Sequence, residues 1–390
     1  MRVGLLIPSF LTGKGGAEKV AAEVSGIIDQ NGGTASILCN SRKDAAPSYE
    51  LPSGVDIRPL NLREDDDLLR ERGRYDVVVG FGMAGFFRRI AEISDLVAAP
   101  FVIQECTNPS RMVSTLYVMQ QDGCSTLEDA FWLRQGIFSR AAAVRFTVPD
   151  YAQTITPAIK PFSYSFFNSL KHEPASTQTS PQKKIIAVGA MKNRNKNGMS
   201  AVEAFARFAD ADPEWQLHLY GSNNFYEELT RFKAENPKIS ITDHGIVSDP
   251  DKIYADASLL VIPSFEEGLP NVVIEAFSYG VPCVGYSDCP GVNYLISEGE
   301  TGCLADRSTA GSLAIALMRA SKPDFRAQMS LKAAAFAEKH LRHPDFVENW
   351  LYLLGNAVAG RNNGGVAQAP LRCSCVAPFG PLIRSQLGWD

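Results

Sequence analysis

Cysteine is sparse: eight in 390 residues, scattered at Cys39, Cys106, Cys124, Cys283, Cys289, Cys303, Cys373 and Cys375. That spread excludes a disulfide framework and points to a reducing compartment. Cys373 and Cys375 form a lone C-x-C, with no histidine or second cysteine pair nearby to complete a metal site. Long apolar runs are missing too. None approaches the roughly 18 residues that a membrane-spanning helix needs, and the first, within Val3 to Ile7, is too short for a secretory leader. A cytoplasmic protein is expected. Basic charge is not in excess, since 38 Lys and Arg against 43 Asp and Glu leave a formal charge of −5, so a surface built for nucleic acid is excluded. No D-x-D stands at a strand end to hold a divalent cation. Asp65, Asp66 and Asp67 lie in a charged, helix-like stretch and read as a solvated face.

What remains is an ordinary enzyme-like composition, 45% hydrophobic and 21% charged. At roughly 150 residues per domain the length suggests two domains. Short apolar runs alternate with helical patterns through the first half, from Val3 to Ile7, Ala35 to Cys39, Val77 to Gly80, Phe101 to Gln104 and Ala142 to Val148. These runs are continuous rather than alternating, as parallel strands covered by helices on both faces require. A first doubly wound domain is expected over 1–168 and a polar linker over 169–184. The same rhythm restarts at Ile185 and predicts a second doubly wound domain over 185–342. Residues 343–358 carry apolar residues at helical spacing, with Trp350 and Leu354 on one stripe, but spacing does not say which domain the helix joins. Residues 359–390 show no period and read as a loosely packed tail. Phe86, Phe87, Arg88 and Arg89 open a helix with bulk and positive charge. They suit either packing on a sheet or peripheral contact with a membrane.

The stretch Leu259 to Pro282 carries the chemistry. An apolar strand ends at Pro263, the loop Ser264-Phe-Glu-Glu-Gly-Leu-Pro follows, and a helix from Asn271 stops at Gly280. The carboxyl edge of a parallel strand and the N-terminus of the next helix form an anion site, where a nucleotide diphosphate fits. Glu275 lies on an otherwise apolar helix and needs a partner, either a neighbouring Arg or Lys or the diol of a ribose. Glu267 stands beside Glu266, where two like charges repel unless one faces a ligand or solvent. The loop after Val188 gathers Lys192, Arg194 and Lys196 without an acidic neighbour and attracts a diphosphate. Gly15 and Gly16 follow the first strand, where a close approach of backbone to a ligand or a simple turn are both possible.

Pro-Ser-Phe-Glu-Glu-Gly-Leu-Pro-Asn-Val-Val-Ile-Glu-Ala-Phe-Ser-Tyr-Gly-Val-Pro-Cys-Val, from Pro263, resembles the signature of family 4 retaining glycosyltransferases. The resemblance implies the GT-B fold, two doubly wound Rossmann-like domains facing a central cleft. It implies that Glu267 contacts the transferred sugar and Glu275 the ribose hydroxyls, with Gly268, Leu269, Pro270 and Asn271 lining the donor site. Lys14-Gly-Gly-Ala-Glu-Lys-Val resembles the family's glycine-rich loop, which sets Gly15 and Gly16 near the distal phosphate or the sugar. Gly189 opens the loop whose Lys196 and Arg194 match the phosphate-gripping cations, although Ala190 holds a place where relatives carry Arg. His244 and Gly245 match a turn that borders the base. Ile103-Gln-Glu-Cys-Thr-Asn-Pro resembles an acceptor-side segment, with Glu105 and Asn108 as candidates. Cys106 stands where relatives often have His or Arg, and all five histidines lie after Asn168.

The expected function is retaining transfer of a sugar from a nucleotide-sugar, UDP by default, to a saccharide or lipid-linked acceptor in polysaccharide or glycolipid assembly. Catalysis then requires stabilising the departing phosphate, which Lys196, Arg194 and helix N-termini supply, and no metal or other cofactor is expected. The alternatives are a NAD-dependent oxidoreductase and a catalytically silent binding protein. For the first, the G-x-G-x-x-G fingerprint is missing, and the second strand closes on Cys39 and Asn40 rather than an acidic residue.

Overall fold

A computed structural model describes residues 1–12, 15–42, 46–47, 49–82, 86–107, 123–154, 163–169, 182–191, 195–222, 226–306 and 309–363. The chain forms two compact units, Met1–Phe167 together with Pro344–Asp390, and Asn168–His343. Each is built on one parallel sheet.

The first unit runs β1 (Arg2–Leu6), α1 (Gly16–Gln30), β2 (Thr34–Asn40), β3 (Asp56–Leu60), α2 (Asp65–Leu69), β4 (Val77–Gly82), α3 (Phe87–Val97), β5 (Phe101–Glu105), α4 (Leu127–Arg140), β6 (Ala143–Phe146) and β7 (Ser163–Ser165). A 3-10 turn at Pro149–Thr154 precedes the last strand. The sheet order is β3-β2-β1-β4-β5-β6-β7, with every pairing parallel. Chain direction across the sheet reverses between β1 and β4, so the loop carrying Gly15 leaves the sheet at its switch point. β3 is absent from the apolar pattern because its Asp56, Arg58 and Pro59 break the run. Proline is tolerated there because the strand lies at the sheet edge.

The second unit repeats the plan with β8 (Lys184–Val188), α5 (Gly198–Ala209), β9 (Gln216–Tyr220), α6 (Tyr226–Glu235), β10 (Ile241–Asp243), α7 (Asp251–Tyr254), β11 (Leu259–Ile262), α8 (Asn271–Ser278), β12 (Cys283–Tyr286), α9 (Pro290–Leu295), β13 (Gly302–Ala305), α10 (Ala310–Ala320) and α11 (Pro323–His340). Its order is β10-β9-β8-β11-β12-β13, again all parallel, and the switch lies between β8 and β11. The loops after these two strands are those that carry the candidate cations and glutamates. Pro270 is the N-cap of α8 rather than its first helical residue, and Gly280 has φ +64° beyond the helix end, the left-handed closure expected of it.

The last helix, α12 (His343–Asn363), runs five residues past the 358 expected from the sequence. Its Phe346, Trp350, Leu353, Leu354 and Ala357 are all buried in one core with Val3, Leu5, Ile37, Val77 and Val102 of the first unit. The 3.6-residue stripe finds its partner in the sheet that the chain formed first. Of the aromatic pair that suggested a membrane contact, Phe87 is fully buried and Phe86 nearly so, and Arg89 pairs with Asp65 at 2.7 Å and Glu92 at 3.0 Å. Neither ring is available for insertion into lipid. Among the described residues no helix is long and apolar enough to cross a membrane.

Candidate functional site

In the second unit, the loops after β8 and β11 are joined twice. The N–H of Phe265 donates to the carbonyl of Asn195 at 2.8 Å, and Lys196 Nζ donates to Glu267 Oε1 at 2.6 Å. The ion pair explains how Glu266 and Glu267 coexist, because the ammonium offsets the carboxylate that is turned inward. Glu267 is only 9% exposed while Lys196 is 34% exposed, so the cation keeps access to solvent or ligand. Backbone packing fixes the same loop from below. A Cβ on Gly291, in the first turn of α9, would lie 2.5 Å from the carbonyl oxygen of Glu267 and 2.8 Å from that of Gly268, closer than side chains approach. Glycine is therefore required there. Leu269 is half-buried and Pro270 buried. Asn271, the first residue of α8, accepts from Asn168 Nδ2 at 2.7 Å. α8 begins four residues after Glu267, and its N-terminus carries the positive end of the helix dipole.

Glu275, one turn further along α8, is half-buried, and its Oε2 accepts a hydrogen bond from the phenol of Tyr254 at 2.7 Å. A tyrosine is thus one partner, and neither sequence alternative included it. Lys192, Arg194 and Asn108 lie outside the described residues, as does Lys14. Ala190 is exposed.

Gly189, Gly221 and Gly245 stand at the carboxyl ends of β8, β9 and β10 with φ of 145°, 122° and 62°. Gly221 was not singled out from the sequence, yet a Cβ on it would sit 2.0 Å from the Gly189 carbonyl oxygen. Its N–H donates to Gly245 at 2.7 Å, so these chain ends lie backbone against backbone. His244 beside them stacks on Tyr220 at 4.5 Å and on His218 at 5.0 Å, and its Nε2 is 2.8 Å from His218 Nδ1. One ring of such a pair must be neutral to accept. Burial, then the charge of Lys184, lowers the pKa of both, with His218 falling to about 4. The sign follows directly. A lowered folded-state pKa means that the unfolded chain takes up protons first, so the pair's contribution is complete above 6.5 and lost as pH falls toward about 4. Melting temperature is expected to drop over that interval more in the wild type than in His218→Phe, and equal slopes would contradict the assignment.

In the first unit, Gly15 caps α1. Its N–H donates to Glu18 Oε2 at 3.1 Å, while Ser9 Oγ donates to Glu18 Oε1, so one buried carboxylate is shared by Ser9 and Gly15. Gly16 is the first helical residue. Glu105 is fully buried and committed to its own chain: it pairs with Arg134 and accepts from Thr107 N–H at 2.8 Å and Oγ1 at 2.6 Å. It braces the start of the segment that leads to Asn108. Cys106 packs next to it, and burial together with the Glu105 charge keeps its thiol protonated.

Residues 182–322 match the family model described as glycosyl transferases group 1, which bears out the resemblance read from the Pro263 to Pro282 segment. An uncharacterized glycosyltransferase of Haemophilus influenzae is 31% identical over 144 residues, 36% of this chain and 40% of that protein. The poly(glycerol-phosphate) alpha-glucosyltransferase of Bacillus subtilis is 29% identical over 169 residues, 43% of this chain and 25% of that protein. The chain thus spans less than half the length of these curated relatives. Likeness of fold extends much further. Sucrose-phosphate synthase from Thermosynechococcus elongatus superposes with a TM-score of 0.73 at 14% identity, covering 92% of this chain and 99% of that one. HepE of Anabaena, solved with UDP-glucose, gives 0.70 at 14% identity over 91% and 99%. The GT-B fold class is therefore that of this chain.

Proposed function

We propose that this chain is a retaining glycosyltransferase that takes a sugar from a nucleotide-sugar, UDP-linked, and passes it to a saccharide or lipid-linked saccharide in polysaccharide or glycolipid assembly. The observation that carries the reading is the Lys196–Glu267 pair across the switch point of the second sheet, beside the N-terminus of α8. A diphosphate placed there meets an ammonium and a helix N-terminus together, both stabilising the negative charge that grows as the sugar's anomeric bond breaks. Lys196 turns from Glu267 to the phosphate, and the Glu267 carboxylate accepts from the sugar hydroxyls. Glu275 takes the ribose diol. This electrostatic arrangement needs no resident metal. The donor is assigned to the second unit and the acceptor to the first, and the acceptor class is in keeping with relatives named as a poly(glycerol-phosphate) alpha-glucosyltransferase and a lipopolysaccharide 1,6-galactosyltransferase.

Removal of the ribose contact tests the donor assignment without needing the acceptor. Glu275→Ala is expected to weaken UDP binding by about tenfold to a hundredfold, the range for a charge-assisted hydrogen bond to a ligand. Titration calorimetry reads the change, and an unaltered affinity would remove Glu275 from the site.

A further inference from the structure

We propose that Tyr254 positions the Glu275 carboxylate for the donor ribose, so that discrimination for the ribose hydroxyls depends on the pair and not on Glu275 alone. The inference rests on the nucleotide-sugar reading above. A glutamate on a half-exposed helix face has three rotatable bonds, and its carboxylate samples several directions unless something holds it. Tyr254 is fitted to hold it. The residue is fully buried at the end of α7, and its ring stacks on Tyr279 at 5.5 Å and 23°. The Tyr279 hydroxyl donates in turn to Asp251 at the start of the same helix, and the Tyr254 N–H is tied to the Pro250 carbonyl at 2.9 Å. Ring and backbone are each fixed by a different neighbour, so the 2.7 Å bond to Oε2 aims a mobile carboxylate from a rigid support.

The chemistry of the partner matters as much as its place. A lysine or arginine at the same distance would hold the carboxylate but also neutralise it and compete with the ligand for its lone pairs. A phenol donates one proton and leaves the negative charge in place. Burial and the neighbouring Glu275 charge raise the phenol pKa far above its ordinary value, so it keeps the proton that it donates. Tyr254 bonds one oxygen, Oε2, and a carboxylate has further lone pairs with which to accept from a diol whose two O–H groups both donate.

The test compares UDP with 2′,3′-dideoxy-UDP by titration calorimetry on the full chain. Wild type is expected to prefer UDP, and Tyr254→Phe, which keeps the ring and its stack, to lose about tenfold in UDP affinity with dideoxy-UDP unchanged. Glu275→Asp withdraws the carboxylate by one methylene, so that phenol and ribose can no longer share it. It is expected to lose the same preference, which gives a second check independent of any change at position 254. Tyr254→Phe in a Glu275→Ala background should alter neither affinity further. Equal weakening of both nucleotides in Tyr254→Phe, or no weakening of either, would show that the phenol only packs and would overturn the proposal while leaving the donor site intact. Wild type binding both nucleotides alike would overturn it together with the reading of Glu275 on which it rests.

Discussion

Lys196→Ala is expected to lower turnover of a nucleotide-sugar donor by about a hundredfold to a thousandfold, the range seen when one donor to a developing negative charge is removed. The structure adds a complication that decides how the experiment must be built. Lys196 is also the partner of a carboxylate with only 9% of its side chain exposed. Deleting the lysine removes an ion-pair partner from the buried Glu267 carboxylate, which costs up to about 3–5 kcal/mol in fully buried cases, less here because the lysine is a third exposed. A loss of activity in the single variant therefore mixes a missing cation with a displaced loop. Glu267→Gln in the Lys196→Ala background separates them, since a neutral amide needs no counter-charge. The double variant is expected to recover most of the melting temperature and none of the turnover. Lys196→Arg should recover little activity, because a broad planar guanidinium on a longer arm does not put its charge where the compact ammonium stands beside Glu267. Initial rates of nucleotide release, with melting curves for each variant, make the comparison. Turnover near wild type in Lys196→Ala would remove the pair from the catalytic centre.

The pair illustrates what a sequence does and does not expose. Each member was legible: Glu267 because a glutamate doublet in a strand-end loop must dispose of its repulsion, and Lys196 because three cations in one short loop must face an anion. That they face one another was not, since 71 residues separate them and only the β8 to β11 adjacency in the parallel sheet closes the distance. The same holds for Glu275. The apolar helix around it announced a carboxylate in need of a partner, but Tyr254 reads as an ordinary core aromatic until α7 and α8 are packed. Strands were legible where both faces are covered and the apolar run is unbroken, as in Val77 to Gly82, where every residue is buried. They were missed at the rim, where Asp56–Leu60 is half-exposed and free to carry charge and proline. Gly221 was passed over because its necessity arises from the Gly189 carbonyl, a neighbour from another strand.

Trp350→Ala is expected to destabilise the first unit by about 3–5 kcal/mol, the cost of opening a tryptophan-sized cavity in a packed core. Position along the chain would suggest otherwise, because the residue follows the whole second unit. Its surroundings decide the matter: Trp350 is fully buried, edge-on to Phe166 at 5.8 Å and Phe346 at 6.3 Å. The guanidinium of Arg145 lies 5.3 Å from the Trp350 ring and 4.2 Å from that of Phe166. Arg145 is itself fully buried, donating to Gln104 Oε1 at 2.6 Å and to the Phe166 carbonyl at 2.8 Å. Burial lowers its pKa to about 9, so the aromatic faces are part of what keeps the charge tolerable away from water. Removing the indole strips one of those faces and leaves a void beside a cation. Leu331→Ala, at a leucine 60% exposed on α11, is the matched control and should stay within about 0.5 kcal/mol. Because the two units need not unfold together, denaturation is best followed with UDP present, which on the proposed donor assignment stabilises the second. The transition that UDP does not shift should then be the one that Trp350→Ala moves. A change below about 1 kcal/mol in that transition would mean that α12 contributes little to the core it completes.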